Sequence, residues 1–218
     1  MSTDSGLPAS PSNTCGGART PASTTVVSLF LSSLAGIAFA KYRFRGDTAL
    51  FLLLFLMMSV PRFVTIIPIF NLMSRLGLTN TYWSLILPFS VNPFAVFMMR
   101  QYVRSVPDEL MDSARIDGYN EFDIATRIVM PLIKPAFGAA GIFILMMSWN
   151  NYVFPLVMMT GDEKMLFPVG LASLKTLYDV DYGMIMAGSF LSTLPLITGY
   201  LLFQKQFISS LTKGAIKY

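Results

Sequence analysis

The chain has 218 residues, of which 54% are hydrophobic and only 13% charged, against about 25% charged in an ordinary soluble domain. It holds no histidine and a single cysteine, Cys15, which excludes a Ser-His-Asp triad, a histidine metal centre and an internal disulfide. The formal charge of +4 is too thinly spread to read as a nucleic-acid footprint, and no G-x-x-x-x-G-K-[ST] loop is present to bind a nucleotide phosphate.

In chain order, residues 1–20 are rich in Ser, Thr, Pro and Gly. Such a composition buries too little apolar surface to order itself, so a disordered tail is expected over 1–21. It has neither the basic start nor the apolar stretch of a signal peptide. Residues 24–40 are the first apolar run, with Ser28, Ser32, Ser33, Ala35, Gly36, Ala38 and Ala40 in it. Small residues let helix backbones approach closely, which suits the inside of a bundle; a helix that merely tolerates serine reads the same way. The loop Lys41 to Gly46 is short and basic, and its plainest role is to anchor topology.

The second run, 48–74, carries Pro61, Arg62 and Pro68. The prolines predict a kink. An arginine at that depth is costly unless it faces protein or water, so Arg62 is a translocation-path candidate. The alternative is a tilted helix from which Arg62 snorkels outward. The third run, 83–103, has Pro88, Asn92 and Pro93 and is not expected to be a straight rod.

A charged segment follows, and residues 105–134 read as a helix–Gly–helix hairpin. Ser105 with Asp108 fits a capping box, and Pro107, Asp108 and Glu109 suit a first turn. Gly118 stands where a left-handed C-terminal cap is wanted. Asn120 reads as the next N-cap, with Glu121 and Asp123 near the positive end of that helix. Pro131 marks an end or a kink.

The fourth run, 135–159, is most polar at its centre, Ser148-Trp149-Asn150-Asn151-Tyr152. Two amides in hydrocarbon need partners. They are either interhelical glue or the lining of a polar cavity, where Asn150, Asn151 and Tyr152 suit sugar hydroxyls by hydrogen bonding and stacking. Residues 162–181, with Asp162, Glu163, Asp179 and Asp181, form a loop that either docks a partner or is simply solvated. The last run is 184–204.

Each run is long enough to cross a bilayer, for which about 20 apolar residues are needed. The expected fold is therefore all-α and polytopic, with about five transmembrane helices plus the hairpin. Lys41, Arg43 and Arg45, the cluster from Arg100 to Lys134, and Lys205, Lys213 and Lys217 all fall on one side if each run crosses once. By the positive-inside rule that side, with the hairpin and the C-terminus, is cytoplasmic.

The hairpin also carries a pattern. Permease subunits of bacterial ABC importers share E-A-A-x3-G-x9-I-x-L-P. Here Asp112-Ser113-Ala114 is followed after three residues by Gly118, after nine more by Ile128, and then by Val129-Met130-Pro131. Asp replaces Glu, Ser replaces Ala and Met replaces Leu. The stretches SSLAGIAFAKYRFRG, SWNNYVFPL and SLTKGAIKY are similar to those of carbohydrate-uptake permeases of the maltose-transporter G-subunit type, a resemblance covering 22–218.

The resemblance implies a type I transmembrane domain over 22–218 in the bacterial inner membrane. It implies a second homologous permease, two cytoplasmic ATP-binding subunits, an extracytoplasmic solute-binding protein and membrane lipid as partners. No nucleic acid, cofactor or metal is implied, and ATP hydrolysis would lie in the partner subunits. The coupling motif it assigns is Asp112, Ser113, Ala114, Asp117, Gly118, Ile128 and Pro131. Asp112 and Asp117 would pair with cations of the ATPase, while Leu110, Ala114 and Ile116 offer apolar contact. The family usually has another spanning helix before residues 24–40, which this chain is expected to lack. Alternatives are a permease for glycerol phosphate or another non-sugar cargo, and a shortened, non-transporting remnant. An ion-coupled carrier is a further class, but no run contains Asp or Glu.

Overall fold

The computed structural model describes residues 11–160, 167–173 and 182–215, and among these every regular element is helical. Helix α1 (Pro11–Lys41) is followed by α2 (Asp47–Ser59), a 3-10 turn at Arg62–Thr65 and α3 (Ile66–Arg75). Next come α4 (Trp83–Ile86), a 3-10 turn at Leu87–Phe89 and α5 (Pro93–Val103). The hairpin holds α6 (Asp108–Ile116), α7 (Glu121–Asp123), a π-helical stretch at Ile124–Val129 and α8 (Met130–Leu132). Helices α9 (Lys134–Trp149), α10 (Val153–Met158), α11 (Phe167–Ser173) and α12 (Tyr182–Ala215) complete the chain.

Among the described residues two helices, Ala18–Lys41 within α1 and Tyr182–Leu201 within α12, are long and apolar enough to cross a membrane unbroken. Two further helix pairs reach that length and apolarity only when taken together across a bend. Asp47–Ser59 meets Arg62–Arg75 at 102°, and Glu121–Leu132 meets Lys134–Trp149 at 84°. The run 83–103 is built of short pieces rather than one helix.

The breaks have local causes. A residue preceding proline is pushed out of the helical region by the ring. Val60, before Pro61, is extended at ψ 123°, and Asn92, before Pro93, is extended at ψ 115°. Pro68, expected to kink its helix, instead lies in the first turn of α3, where its missing N–H costs nothing. The expected boundary at 21/22 falls inside α1, which is helical from Pro11. Pro21 and Thr24 are buried there, and Thr24 and Thr25 donate their hydroxyls to the carbonyls of Thr20 and Pro21. Residues 1–10 and most of the loop expected at 162–181 lie outside the described residues.

Packing is organised around α1. It crosses α5 at Gly36 and α9 at Gly141, whose missing side chains admit Met99 and Leu29 respectively. Ser32 Oγ accepts the backbone N–H of Asn92, while the Asn92 side chain accepts that of Ala95, which caps α5. The expectation that small residues mark an interior helix is met, with Ser28, Ser32 and Ser33 all buried. Two apolar clusters result. One joins Ile37, Met99, Val103, Met111, Ala114, Ile124, Val129 and Ile133 at the hairpin end. The other joins Ile66, Met73, Leu85, Phe154 and Met158.

Candidate functional site: a tethered hairpin and a cavity at the helix breaks

Helix α6 ends in a Schellman motif. Tyr119 N–H donates to Ala114 at 3.0 Å and Gly118 N–H to Arg115 at 3.1 Å. Gly118 takes φ 85°, a conformation that disfavours any Cβ. Asn120 then caps α7 by accepting Asp123 N–H at 2.8 Å, as its position predicts. The capping box at Ser105 does not form. Ser105 donates back to the Tyr102 carbonyl, and Pro107 precedes α6 with no side-chain cap.

The motif residues divide between the inside and the outside of the hairpin. Ala114 is 3% exposed and packs with Met111 into the core, so it offers no outward contact. Ile128 is half-buried against the same core. Asp117 is exposed at the end of α6, and Pro131 is exposed before the 84° bend. Asp112 pairs with Arg115 at 2.7 Å, and Ser113 donates to Glu109. What faces outward is Ile116, at 86% exposure, with Leu110, Tyr119 and Phe122.

A second set of residues, invisible as a group in the sequence, ties the hairpin to α1. Lys41 Nζ reaches Asp108 Oδ1 at 2.6 Å and also the Val106 carbonyl. Its side chain is only 7% exposed. The adjacent Tyr42 donates its hydroxyl to Glu121 Oε2, and Arg115 bonds the same carboxylate at 2.8 and 3.3 Å. The environment matches this pattern. Hydrogen bonding from Arg115, then from Tyr42, holds Glu121 below the usual carboxylate range. Lys41 does the same for Asp108. Burial, reinforced by Glu121, pushes the Tyr42 phenol up to about 12. Arg115 is raised by Glu121 and Asp112. The loop at 41–46 had read only as a topology anchor. The usable signal was the pairing of its cation and phenol with acids on the same membrane side.

Away from the hairpin, beside Thr24 in the middle of α1, the breaks converge. A cavity of about 260 Å³ is lined by Thr24 of α1, by Val60, Arg62 and Thr65 at the first bend, by Phe89, Asn92 and Pro93 at the second, and by Ser148 and Asn151 around the C-terminal end of α9. Arg62 sits on the 3-10 turn with its guanidinium 5.6 Å from the Phe89 ring centre and 3.5 Å from Met147 Sδ. The structure thus brings Arg62 and Asn151 together. Asn150 is elsewhere: its Nδ2 donates to the Met146 carbonyl at 2.9 Å and closes α9. Tyr152 precedes α10 and is not among the lining residues. No cluster of potential metal ligands occurs among the described residues.

Residues 29–210 match the family model described as binding-protein-dependent transport system inner membrane component. The chain is 46% identical over 194 residues to the arabinooligosaccharides transport system permease protein AraQ of Bacillus subtilis, covering 89% of this chain and 69% of that one. It is 33% identical to the lactose transport system permease protein LacG of Rhizobium radiobacter, covering 88% and 70%. It is 30% identical to the trehalose/maltose transport system permease protein MalG of Thermococcus litoralis, with the same coverage. Its fold is that of a chain in a bacterial ABC transporter involved in the import of the acidic polysaccharide alginate. The TM-score is 0.79 over 90% of this chain and 74% of that one, at 24% identity.

Proposed function

The chain belongs to the family of binding-protein-dependent transport system inner membrane components, and we propose that it is the permease subunit of an ATP-driven importer that moves a sugar or oligosaccharide by alternating access. The AraQ, LacG and MalG relatives are all named for carbohydrates, which supports that cargo class. The working assembly pairs it with a second permease, two cytoplasmic ATP-binding subunits and an extracytoplasmic binding protein, in bilayer lipid. Residues 22–218 are the transmembrane domain, the hairpin 105–134 is the coupling loop, and the C-terminus is cytoplasmic.

The observation that carries this reading is the division of the hairpin. Met111 and Ala114 are locked into the membrane domain's core, while Ile116 and Phe122 are left uncovered on a charged surface. An apolar patch framed by ions is the form of a protein contact. A hairpin both anchored and uncovered suits a handle that a moving ATPase pulls. Asp112, Ser113, Asp117, Gly118, Ile128 and Pro131 then serve its shape, and Arg62 with Asn151 faces the cargo path.

The test is uptake into vesicles containing the assembled importer. Ile116→Glu is expected to abolish ATP-dependent uptake with the amount of subunit in the membrane unchanged. Uptake that persists without ATP hydrolysis in the unmodified protein would overturn the reading.

A further inference from the structure

We infer that Lys41 and Tyr42 are positioning residues that link the hairpin to α1, so that movement of the hairpin is delivered along α1 to the cavity wall at Thr24. This rests on the coupling role proposed for the hairpin.

The geometry is specific. Two adjacent residues at the C-terminal end of α1 grip the hairpin on opposite sides of Gly118. Lys41 holds the start of α6 through Asp108 and the Val106 carbonyl, and Tyr42 holds the start of α7 through Glu121. Arg115 spans the turn, bonding Asp112 on one side and Glu121 on the other. The hinge glycine is thereby bracketed, and both arms answer to one helix end.

Helix stability alone does not explain the arrangement. A cation beside a helix N-terminus opposes the macrodipole, and a nearly buried ammonium is costly unless it is fully paired. Lys41 accepts the first cost and offsets the second by pairing with Asp108 and the Val106 carbonyl. Tyr42 remains helical in its bonding, with its N–H on the Ala38 carbonyl, so the grip is continuous with α1.

From Lys41, α1 runs without a proline to Thr24, about 26 Å at 1.5 Å per residue. Along that length it packs closely on α5. A Cβ at Gly36 would lie 2.5 Å from Met99 Cβ, and Arg100 Nε donates to the Phe39 carbonyl at 3.1 Å. A pull at residues 41 and 42 therefore moves a rigid element whose middle, at Thr24, lines the cavity.

The experiment compares wild type with Lys41→Met, Tyr42→Phe and the double variant in the reconstituted importer. It measures sugar taken up per ATP hydrolysed. It also follows tryptic cleavage at the hairpin arginines, with amounts normalised to assembled complex. The double variant is expected to lower sugar per ATP by about tenfold, within the usual range of coupling energies, while hydrolysis continues and hairpin cleavage accelerates. Each single variant is expected to give a part of the loss. A double variant that keeps the wild-type ratio overturns the inference, as does a proportional fall of hydrolysis and uptake. If the wild-type complex itself shows no ATP-dependent uptake, the importer reading fails. The cleavage arm then decides the link by itself: unchanged cleavage overturns it and faster cleavage upholds it.

Discussion

Gly36 of α1 and Met99 of α5 lie so close that a β-carbon on the glycine would stand 2.5 Å from Met99 Cβ and 3.0 Å from the Arg100 nitrogen. Both helices present buried faces here, so neither backbone has room to withdraw. Gly36→Val is expected to destabilise the subunit by about 1–3 kcal/mol through overpacking. The check is the thermal midpoint of purified protein and its steady-state level in membranes. Gly36→Ala is expected to show the same effect more weakly, because the β-carbon itself is the clash.

Gly118 makes the opposite case. Nothing lies within 4 Å of a β-carbon built there, yet its φ is 85°. Substitution costs only backbone strain, about 1–2 kcal/mol for alanine and less for asparagine, which tolerates the left-handed region. Gly118→Pro adds the loss of the N–H that bonds the Arg115 carbonyl. Uptake is expected to fall in the order Asn, Ala, Pro, with Gly118→Asn leaving the membrane level intact. Equal uptake by all three would show that the turn's geometry is irrelevant to coupling.

The two adjacent asparagines are expected to behave differently. Asn151 lines the cavity, whereas Asn150 is spent on the end of α9. Asn151→Ala should raise the sugar concentration needed for half-maximal uptake without lowering thermal stability. Asn150→Ala should lower stability by about 1 kcal/mol, as for a lost helix-end hydrogen bond, with sugar dependence unchanged. The reverse pattern would remove Asn151 from the path.

The hairpin tethers set a pH window. Asp108 and Glu121 have lowered folded-state pKa values, so their contribution is present above the ordinary carboxylate range and is lost as pH falls through the lowered values. Tyr42 is raised to about 12, so its contribution is present below the ordinary tyrosine pKa and lost as pH rises through the raised one. The thermal midpoint of the purified subunit should be flat between about pH 6 and about pH 9 as far as these groups act, and fall in acid below about pH 4. Glu121→Gln should flatten part of the acid limb. An unchanged acid limb in that variant would place the pH sensitivity elsewhere.

Much of this molecule was legible in one dimension because its strongest signals are local. Apolar runs too long and too numerous for a soluble chain require a bilayer. The conformations of Gly118 and Asn120 follow from the absence of a Cβ and from a short side-chain acceptor, so the hairpin's turn and second cap were read at the right residues. Pro61 and Pro93 dictate breaks one residue before themselves. The Ser105 capping box failed because the pattern is necessary but not sufficient. Helix α6 starts at Asp108 with Pro107 in the capping position, so Ser105 lies two residues too early to cap it and donates to the Tyr102 carbonyl.

The sequence by itself thus determined the helical class, the membrane setting and the presence of a charged hairpin with a glycine hinge. Only the tertiary structure decided which side of that hairpin is inside, turning Ala114 into core and leaving Ile116 uncovered. It also brought three separate helix breaks to one cavity and chose Asn151 over Asn150 to line it. The physical reason is the range of the forces. Backbone preferences act within a few residues, whereas burial, ion pairing and cavity lining depend on which helices touch. Here those contacts join positions 60 to 80 residues apart.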